Sequence, residues 1–123
     1  MTLKRPKLIG MTTKGELKMI KAGLSHEEGL IEWLKGNPQR QREYLKASIE
    51  ENFDMPEAII LAIRDIAEAR GYESLAKDAG LSQKALYKIL SESKDSKPRF
   101  ETISQIVHAL GLRITVEPVD EAG

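Results

Sequence analysis

The chain has 123 residues, of which 41% are hydrophobic and 5% aromatic, so it suits one small domain with an aliphatic core. Its 19 basic and 19 acidic side chains give a formal net charge of zero, which excludes a globally basic nucleic-acid binder. Since cysteine is absent, disulfides and thiolate metal sites are excluded as well.

The sequence contains no predicted membrane segment. No apolar run approaches the roughly 18 residues that a membrane-spanning helix needs. The N-terminus carries Lys4, Arg5 and Lys7, but no apolar segment follows them as it would in a secretory signal. We therefore expect a cytoplasmic protein.

Residues 1–53 are predicted to form an N-terminal arm and a helical extension. The arm includes Leu8-Ile9, which suits either a short strand or a mobile basic segment, and a short helix is expected within residues 13–22. Ser25-His26-Glu27-Glu28 has the form of a capping box and predicts a helix that stops at Gly36. Asn37-Pro38 then opens a further helix. An apolar stripe at helical spacing is predicted for it, formed by Tyr44, Leu45, Ser48, Ile49 and Phe53.

Residues 54–117 are predicted to form the principal domain, beginning with a helix that reaches Arg70 and closes at Gly71. Its apolar positions cover a wide arc, which is typical of a helix at the centre of its bundle. They are Ile59, Ile60, Leu61, Ala62, Ile63, Ile66 and Ala69.

Residues 73–90 read as two short helices that meet at a tight turn. Ala76 is small enough for two crossing helices to approach closely, and Gly80 stands where the first helix must end in a left-handed conformation. Leu81 is expected in the core, and Ser82 is expected to cap the next helix. This spacing predicts a helix-turn-helix, whose second helix reads base edges in the major groove. An ordinary helical hairpin with glycine at its corner is the alternative.

Several polar or basic side chains of this region are candidates for contact with DNA. Gln83, Lys84, Tyr87 and Lys88 point outward from the second helix, where the local charge is positive. Gln83 suits an adenine edge and Lys84 suits guanine, whereas Tyr87 and Lys88 suit either bases or phosphate. The remaining candidates are Ser74, Ser82, Lys94, Lys97 and Arg99.

A final helix and a strand are predicted after the polar segment 91–98. The helix places Phe100, Ile103, Val107 and Leu110 on its inner face and ends at Gly111. Strict alternation of apolar and polar residues over 112–117 predicts a single β-strand. Residues 118–123 are predicted to form a frayed tail. Because one strand has unpaired edges, it needs a partner near Leu8-Ile9 or in a second copy of the chain. We expect a homodimer paired through this strand.

Residues 56–117 resemble the lambda-repressor-like helix-turn-helix domains of the Cro/XRE class, and more narrowly the addiction-module antidotes related to HigA-type antitoxins. The resemblance is carried by Ile66-Ala67-Glu68-Ala69-Arg70-Gly71, the run 75–82, Ala85-Leu86-Tyr87-Lys88-Ile89-Leu90 and Ala109-Leu110-Gly111-Leu112. Generic repressors place Ser or Thr after the proline at 98. Arg99-Phe100 here is instead the form of the antidote subgroup.

The resemblance implies an all-α, five-helix DNA-binding domain that represses its own operon and neutralises a RelE/HigB-type toxin, a ribosome-dependent mRNA endonuclease. No cofactor is expected. The chain departs from the pattern at Tyr72-Glu73, where repressors often have a phosphate-binding Gln and where the acid is expected to repel the DNA backbone. A free-standing, phage-type regulator without a toxin and a pure protein-interaction module are the alternatives.

Other chemistry has little support in the sequence. His26 and His108 lack a histidine or cysteine partner three or four residues away, so neither predicts a metal site. The adjacent pairs Glu27-Glu28 and Glu50-Glu51 point about 100° apart on a helix and do not form a catalytic dyad. We therefore expect no enzyme activity. Trp33 is predicted to anchor a small core rather than an interface.

Overall fold

A computed structural model describes residues 26–91 and 97–119 of the chain. In these ranges the structure is all-α, as predicted. The described helices are α1 (His26–Leu34), α2 (Pro38–Glu51), α3 (Pro56–Arg70), α4 (Tyr72–Ala79), α5 (Gln83–Ile89) and α6 (Phe100–Ala109). The predictions for the basic arm, Leu8-Ile9, the helix within 13–22, Lys94 and the tail beyond Val119 lie outside the described residues.

The junction between α1 and α2 confirms the predicted cap. The side chain of Asn37 accepts a hydrogen bond from the Arg40 N–H at 3.0 Å, and Pro38 occupies the first turn of α2. The Arg40 guanidinium lies 5.0 Å from the centre of the Trp33 ring and donates to the Trp33 carbonyl at 3.1 Å. Trp33 itself is buried, which confirms its predicted place in the core.

The end of α2 corrects one predicted core residue. The helix closes at Asn52, whose backbone N–H and side-chain amide both donate to the Ser48 carbonyl, at 2.9 and 3.1 Å. Phe53 follows this closure and is 80% exposed, so its prediction as a member of the α2 apolar stripe was wrong. The stripe does not reach Phe53 because α2 ends at Glu51, two residues before it.

Helix α3 occupies the centre of the fold, as its wide apolar arc predicted. It packs against α1, α2 and α4, and Ala62, Ile63 and Ile66 along it are buried. Ile59 and Ile60 are partly buried against the same cluster. A single hydrophobic cluster therefore contains side chains from helices before residue 53 and from helices after it.

Helix α6 packs against α4, and its residues Ile106 and Val107 are buried. Phe100 is 72% exposed, so its predicted place on the inner face was wrong. Helical spacing aligns Phe100 with Ile103 and Val107. Phe100 is nevertheless the first residue of α6, and at this end of the helix no described part of the chain covers it.

The predicted strand over 112–117 is absent from the described structure. Residues 112–119 have no regular secondary structure, and the backbone of 113–119 makes no hydrogen bond to the backbone of other described residues. Leu112 is partly buried against the core, whereas Val116 is 92% exposed. Alternation of apolar and polar residues favours extended backbone, but a strand forms only when a neighbouring strand accepts its hydrogen bonds.

The helices are short or carry many charged residues. Across residues 26–91 and 97–119, no helix combines the length and apolar character that a membrane crossing requires.

Candidate nucleic-acid interface

The turn between α4 and α5 has the geometry that its sequence predicted. Gly80 adopts φ 71° and ψ 29°, in the left-handed region, directly after the last residue of α4. The Leu81 N–H donates back to the Ala76 carbonyl at 2.9 Å, and the Gly80 N–H donates to Lys77 at 3.2 Å. These bonds satisfy carbonyls that the end of a helix leaves unpaired. Ala76 is buried, as a close helix crossing requires.

Ser82 caps α5. Its hydroxyl oxygen accepts a hydrogen bond from the Ala85 N–H at 3.0 Å while its backbone is extended, with ψ 151°. This satisfies one of the free donors in the first turn and sets where α5 begins. Leu86 is buried and Ile89 partly buried, so the helix is anchored along one side.

The opposite side of α5, which we call the α5 outer face, consists of Gln83, Lys84, Tyr87 and Lys88. All four side chains are exposed, and Tyr87 is 52% exposed. The backbone of α5 approaches that of α4 and no other described helix, so the helix stands at the edge of the fold. The face combines amide, phenol and ammonium groups, which hydrogen-bond to base edges and phosphates in protein–DNA complexes.

The other predicted site residues that the structure describes belong to α4, to the cap of α5 and to the segment before α6. Ser74 is exposed in the first turn of α4, and Ser82 is exposed at the start of α5. Lys97 and Arg99 are exposed where the chain enters α6, a helix whose backbone does not approach that of α5. The central candidates therefore share one helix, whereas Lys97 and Arg99 precede another.

A stacked pair of tyrosines joins α4 to α5, and the sequence analysis did not predict it. The rings of Tyr72 and Tyr87 lie with their centroids 4.1 Å apart and their planes at 5°. Tyr72 is the first residue of α4, and Tyr87 belongs to the α5 outer face. No helical periodicity relates two residues on opposite sides of a turn. The feature of the sequence that could have indicated the stack is one tyrosine in each of two helices predicted to cross.

The environment of Tyr72 favours the neutral form of its phenol. Burial raises the pKa of Tyr72 above its ordinary value of 10.0, and the nearby negative charge of Glu68 raises it further. Tyr72 therefore stays protonated throughout the physiological pH range, and the hydroxyl keeps its capacity to donate.

Charges around α4 are partly compensated. Arg70, the last residue of α3, forms an ion pair with Asp78 at 2.6 Å, which neutralises one acid of α4. Glu73 is exposed in the first turn of α4, and no described cation pairs with it. Its negative charge stabilises the N-terminus of α4 through the helix dipole, yet it stands beside Tyr72 at the edge of the candidate interface.

The described residues do not form a candidate metal centre. His108 is exposed in the last turn of α6, and no three His, Asp or Glu side chains within 26–91 and 97–119 converge as metal ligands.

Comparison with known proteins places these helices in a family. The family described as "Probable addiction module antidote protein" matches residues 29–118, which include most of α1 and all of α2 to α6. This chain belongs to the addiction module antidote family. The match begins well before residue 56, so the helices of the N-terminal extension belong to the family pattern as well.

A protein of Haemophilus influenzae, described as an uncharacterized protein, is similar to this chain. It is 39% identical over 74 residues, which cover 60% of this chain and 72% of the relative. No solved structure matches the chain.

Proposed function

We propose that this antidote-family protein is a sequence-specific DNA-binding antitoxin whose α4 and α5 act as a helix-turn-helix of the Cro/XRE class. The observation that carries the proposal is the α5 outer face. A Ser82-capped helix at the edge of the fold buries Leu86 and exposes Gln83 and Lys84 in its first turn. Recognition helices contact base edges with their N-terminal residues while the preceding helix crosses the DNA backbone.

Gln83 and Lys84 are the proposed base contacts. The Gln83 amide both donates and accepts, so it matches the N6 and N7 groups of adenine, and the Lys84 ammonium donates to O6 or N7 of guanine. Tyr87 and Lys88 follow one turn later on the same face. Ser74 and Ser82 have exposed hydroxyls that suit phosphate oxygens, as do the cations of Lys97 and Arg99.

A homodimer is part of the proposal. Helix α5 has seven residues and spans about 10 Å, or roughly three base-pair steps. With a formal net charge of zero, the chain gains little affinity from its overall field. Two copies with recognition helices about 34 Å apart would contact successive major grooves and bind a palindromic operator.

The proposed protein partner is a toxin of the RelE/HigB type, as in HigA-type antitoxin pairs. Membership in the addiction module antidote family supports a toxin partner and favours this function over a free-standing, phage-type regulator. Repression of the shared operon follows if the operator overlaps the promoter of the two genes.

The DNA-binding proposal is tested with the full chain and a labelled duplex from immediately upstream of its own gene. We expect a discrete shift that survives excess random competitor and a footprint with two half-sites about one helical turn apart. A shuffled duplex of the same composition is the control. Equal affinity for both duplexes, or no binding to either, would contradict the proposal.

The toxin proposal is tested by expressing the adjacent open reading frame alone and together with this chain. Growth arrest by the neighbour and its relief on co-expression are expected, together with co-purification of the two proteins. A variant with Gln83 and Lys84 both changed to Ala should still relieve the arrest if DNA and toxin contact different surfaces. The absence of any toxic neighbour that this chain binds would favour the free-standing regulator instead.

A further inference from the structure

The Tyr72–Tyr87 stack gives the α5 outer face a fixed element. Its near-parallel rings contact each other face to face at a centroid distance of 4.1 Å, and Tyr87 is nevertheless 52% exposed. Exposed tyrosines ordinarily exchange between side-chain rotamers, and binding then requires that freedom to be lost. Contact with a partly buried ring on another helix restricts Tyr87 before any ligand arrives.

The stack also indicates which part of a DNA duplex Tyr87 faces. Gln83 and Lys84 belong to the first turn of α5, the part of a recognition helix that reaches base edges. Tyr87 is one turn farther along, and its ring lies against the first residue of α4. Because the first helix of a helix-turn-helix crosses the phosphate backbone, a ring held against the start of α4 lies toward the phosphates.

We propose that Tyr72 is a positioning residue that holds Tyr87 so that its hydroxyl donates a hydrogen bond to a phosphate oxygen of the operator. This inference rests on the proposed DNA-binding function. It assigns to Tyr87 a contact with the DNA backbone in place of a contact with a base. Tyr72 takes the position next to Glu73 at the start of α4 and acts through its ring rather than through its own hydroxyl. The Tyr87 side chain carries no charge, so this contact does not neutralise the phosphate and releases no condensed counterion from the DNA.

The test compares operator and random duplexes for four variants of the full chain. Tyr87→Phe keeps the stacked ring and removes only the hydroxyl. A hydrogen bond to an ionised phosphate contributes about 1.5–3 kcal/mol, which corresponds to roughly a tenfold to hundredfold loss of affinity, expected equally on both duplexes. The slope of log affinity against log salt concentration should stay at the wild-type value. Lys88→Ala is the charged comparison, and loss of a cationic phosphate contact would lower that slope by about one.

Two substitutions of Tyr72 separate positioning from direct contact. Tyr72→Phe preserves the ring, so we expect affinity within about twofold of wild type. Tyr72→Leu removes the stack while keeping an apolar side chain, and we expect a loss as large as that of Tyr87→Phe. In NMR spectra, the χ1 couplings of Tyr87 should report one rotamer in wild type and Tyr72→Phe, and averaged values in Tyr72→Leu.

The outcomes separate this inference from the proposed function. If the wild-type chain does not bind its upstream duplex, both fail together. If it binds but Tyr87→Phe keeps full affinity, or loses affinity on the operator alone, the phosphate contact is wrong. A loss in Tyr72→Phe as large as in Tyr87→Phe would make Tyr72 a direct contact and overturn its positioning role. Since Tyr87→Phe needs no repacking, it decides the phosphate contact even if Tyr72→Leu does not fold.

Discussion

Tyr44 donates its phenol hydrogen to Asp65 Oδ2 at 2.8 Å, and both side chains are buried. The bond joins the middle of α2 to the middle of α3, so it links the N-terminal helices to the central helix of the fold. A buried carboxylate is costly unless it is hydrogen-bonded. The Tyr44 hydroxyl therefore contributes to the stability of the α2–α3 packing.

Tyr44→Phe should destabilise the protein without changing the α5 outer face. Removing one donor from a buried carboxylate costs about 1–3 kcal/mol of unfolding free energy. For a chain of 123 residues, each kcal/mol lowers the melting temperature by about 4 °C. Thermal denaturation followed by circular dichroism measures the change. Tyr87→Phe is the matched control, since the same atom is removed from an exposed ring, and equal melting temperatures for the two variants would contradict this account.

Gly80 should tolerate asparagine better than valine. Nothing lies within 4 Å of the position that a Cβ would occupy at Gly80, so the cost of substitution comes from its φ of 71° rather than from a clash. A left-handed backbone costs an ordinary L-residue about 1–2 kcal/mol, whereas asparagine adopts it more readily. We expect stability in the order wild type, Gly80→Asn, Gly80→Ala, Gly80→Val in chemical denaturation. Equal stability of the valine and asparagine variants would contradict a conformational origin.

Single alanine substitutions at Gln83 and Lys84 should relax base discrimination. Loss of one good base contact costs about 1–3 kcal/mol of operator binding, with a smaller effect on random DNA. Binding to a panel of duplexes with single base-pair changes should show lost preference at one position for each variant. Gln39, exposed in the first turn of α2, provides an alanine control on a helix whose backbone does not approach that of α5. Equal losses on specific and random duplexes would remove the base-contact assignment.

Glu73→Gln should change DNA affinity and stability in opposite directions. Removing an exposed negative charge near phosphates is expected to raise affinity for any duplex by about twofold to fivefold, since such repulsion amounts to at most about 1 kcal/mol in water. The loss of a favourable acid in the first turn of α4 should lower stability by about 0.3–1 kcal/mol. Duplex titrations and denaturation of the same variant measure the two effects.

Glu57→Gln is the matched control for Glu73. Glu57 is an exposed acid in the first turn of α3, so its removal affects that helix dipole in the same way. The 15-residue α3 separates it from the start of α4 by about 22 Å, beyond the range of unscreened interaction at physiological salt. If Glu57→Gln raises DNA affinity as much as Glu73→Gln, the effect comes from net charge and does not locate the interface.

The sequence by itself determined the helices and most of their ends. Asn37, Gly80 and Ser82 act through contacts within a few residues of themselves, and each was found in its predicted role. The wide apolar arc of α3 likewise predicted its central position. Local hydrogen bonds and side-chain periodicity are properties of short stretches of chain, so they can be recognised without a fold.

Only the tertiary structure decided what covers each side chain and which distant residues meet. Phe53, Phe100 and the segment 112–117 all have sequence patterns of buried elements, yet they are exposed or unpaired because the described chain places no partner beside them. The Tyr72–Tyr87 stack and the Tyr44–Asp65 bond required the crossing of whole helices. Periodicity identifies the face that a helix can bury, but packing between elements distant in sequence decides which residues on that face are covered.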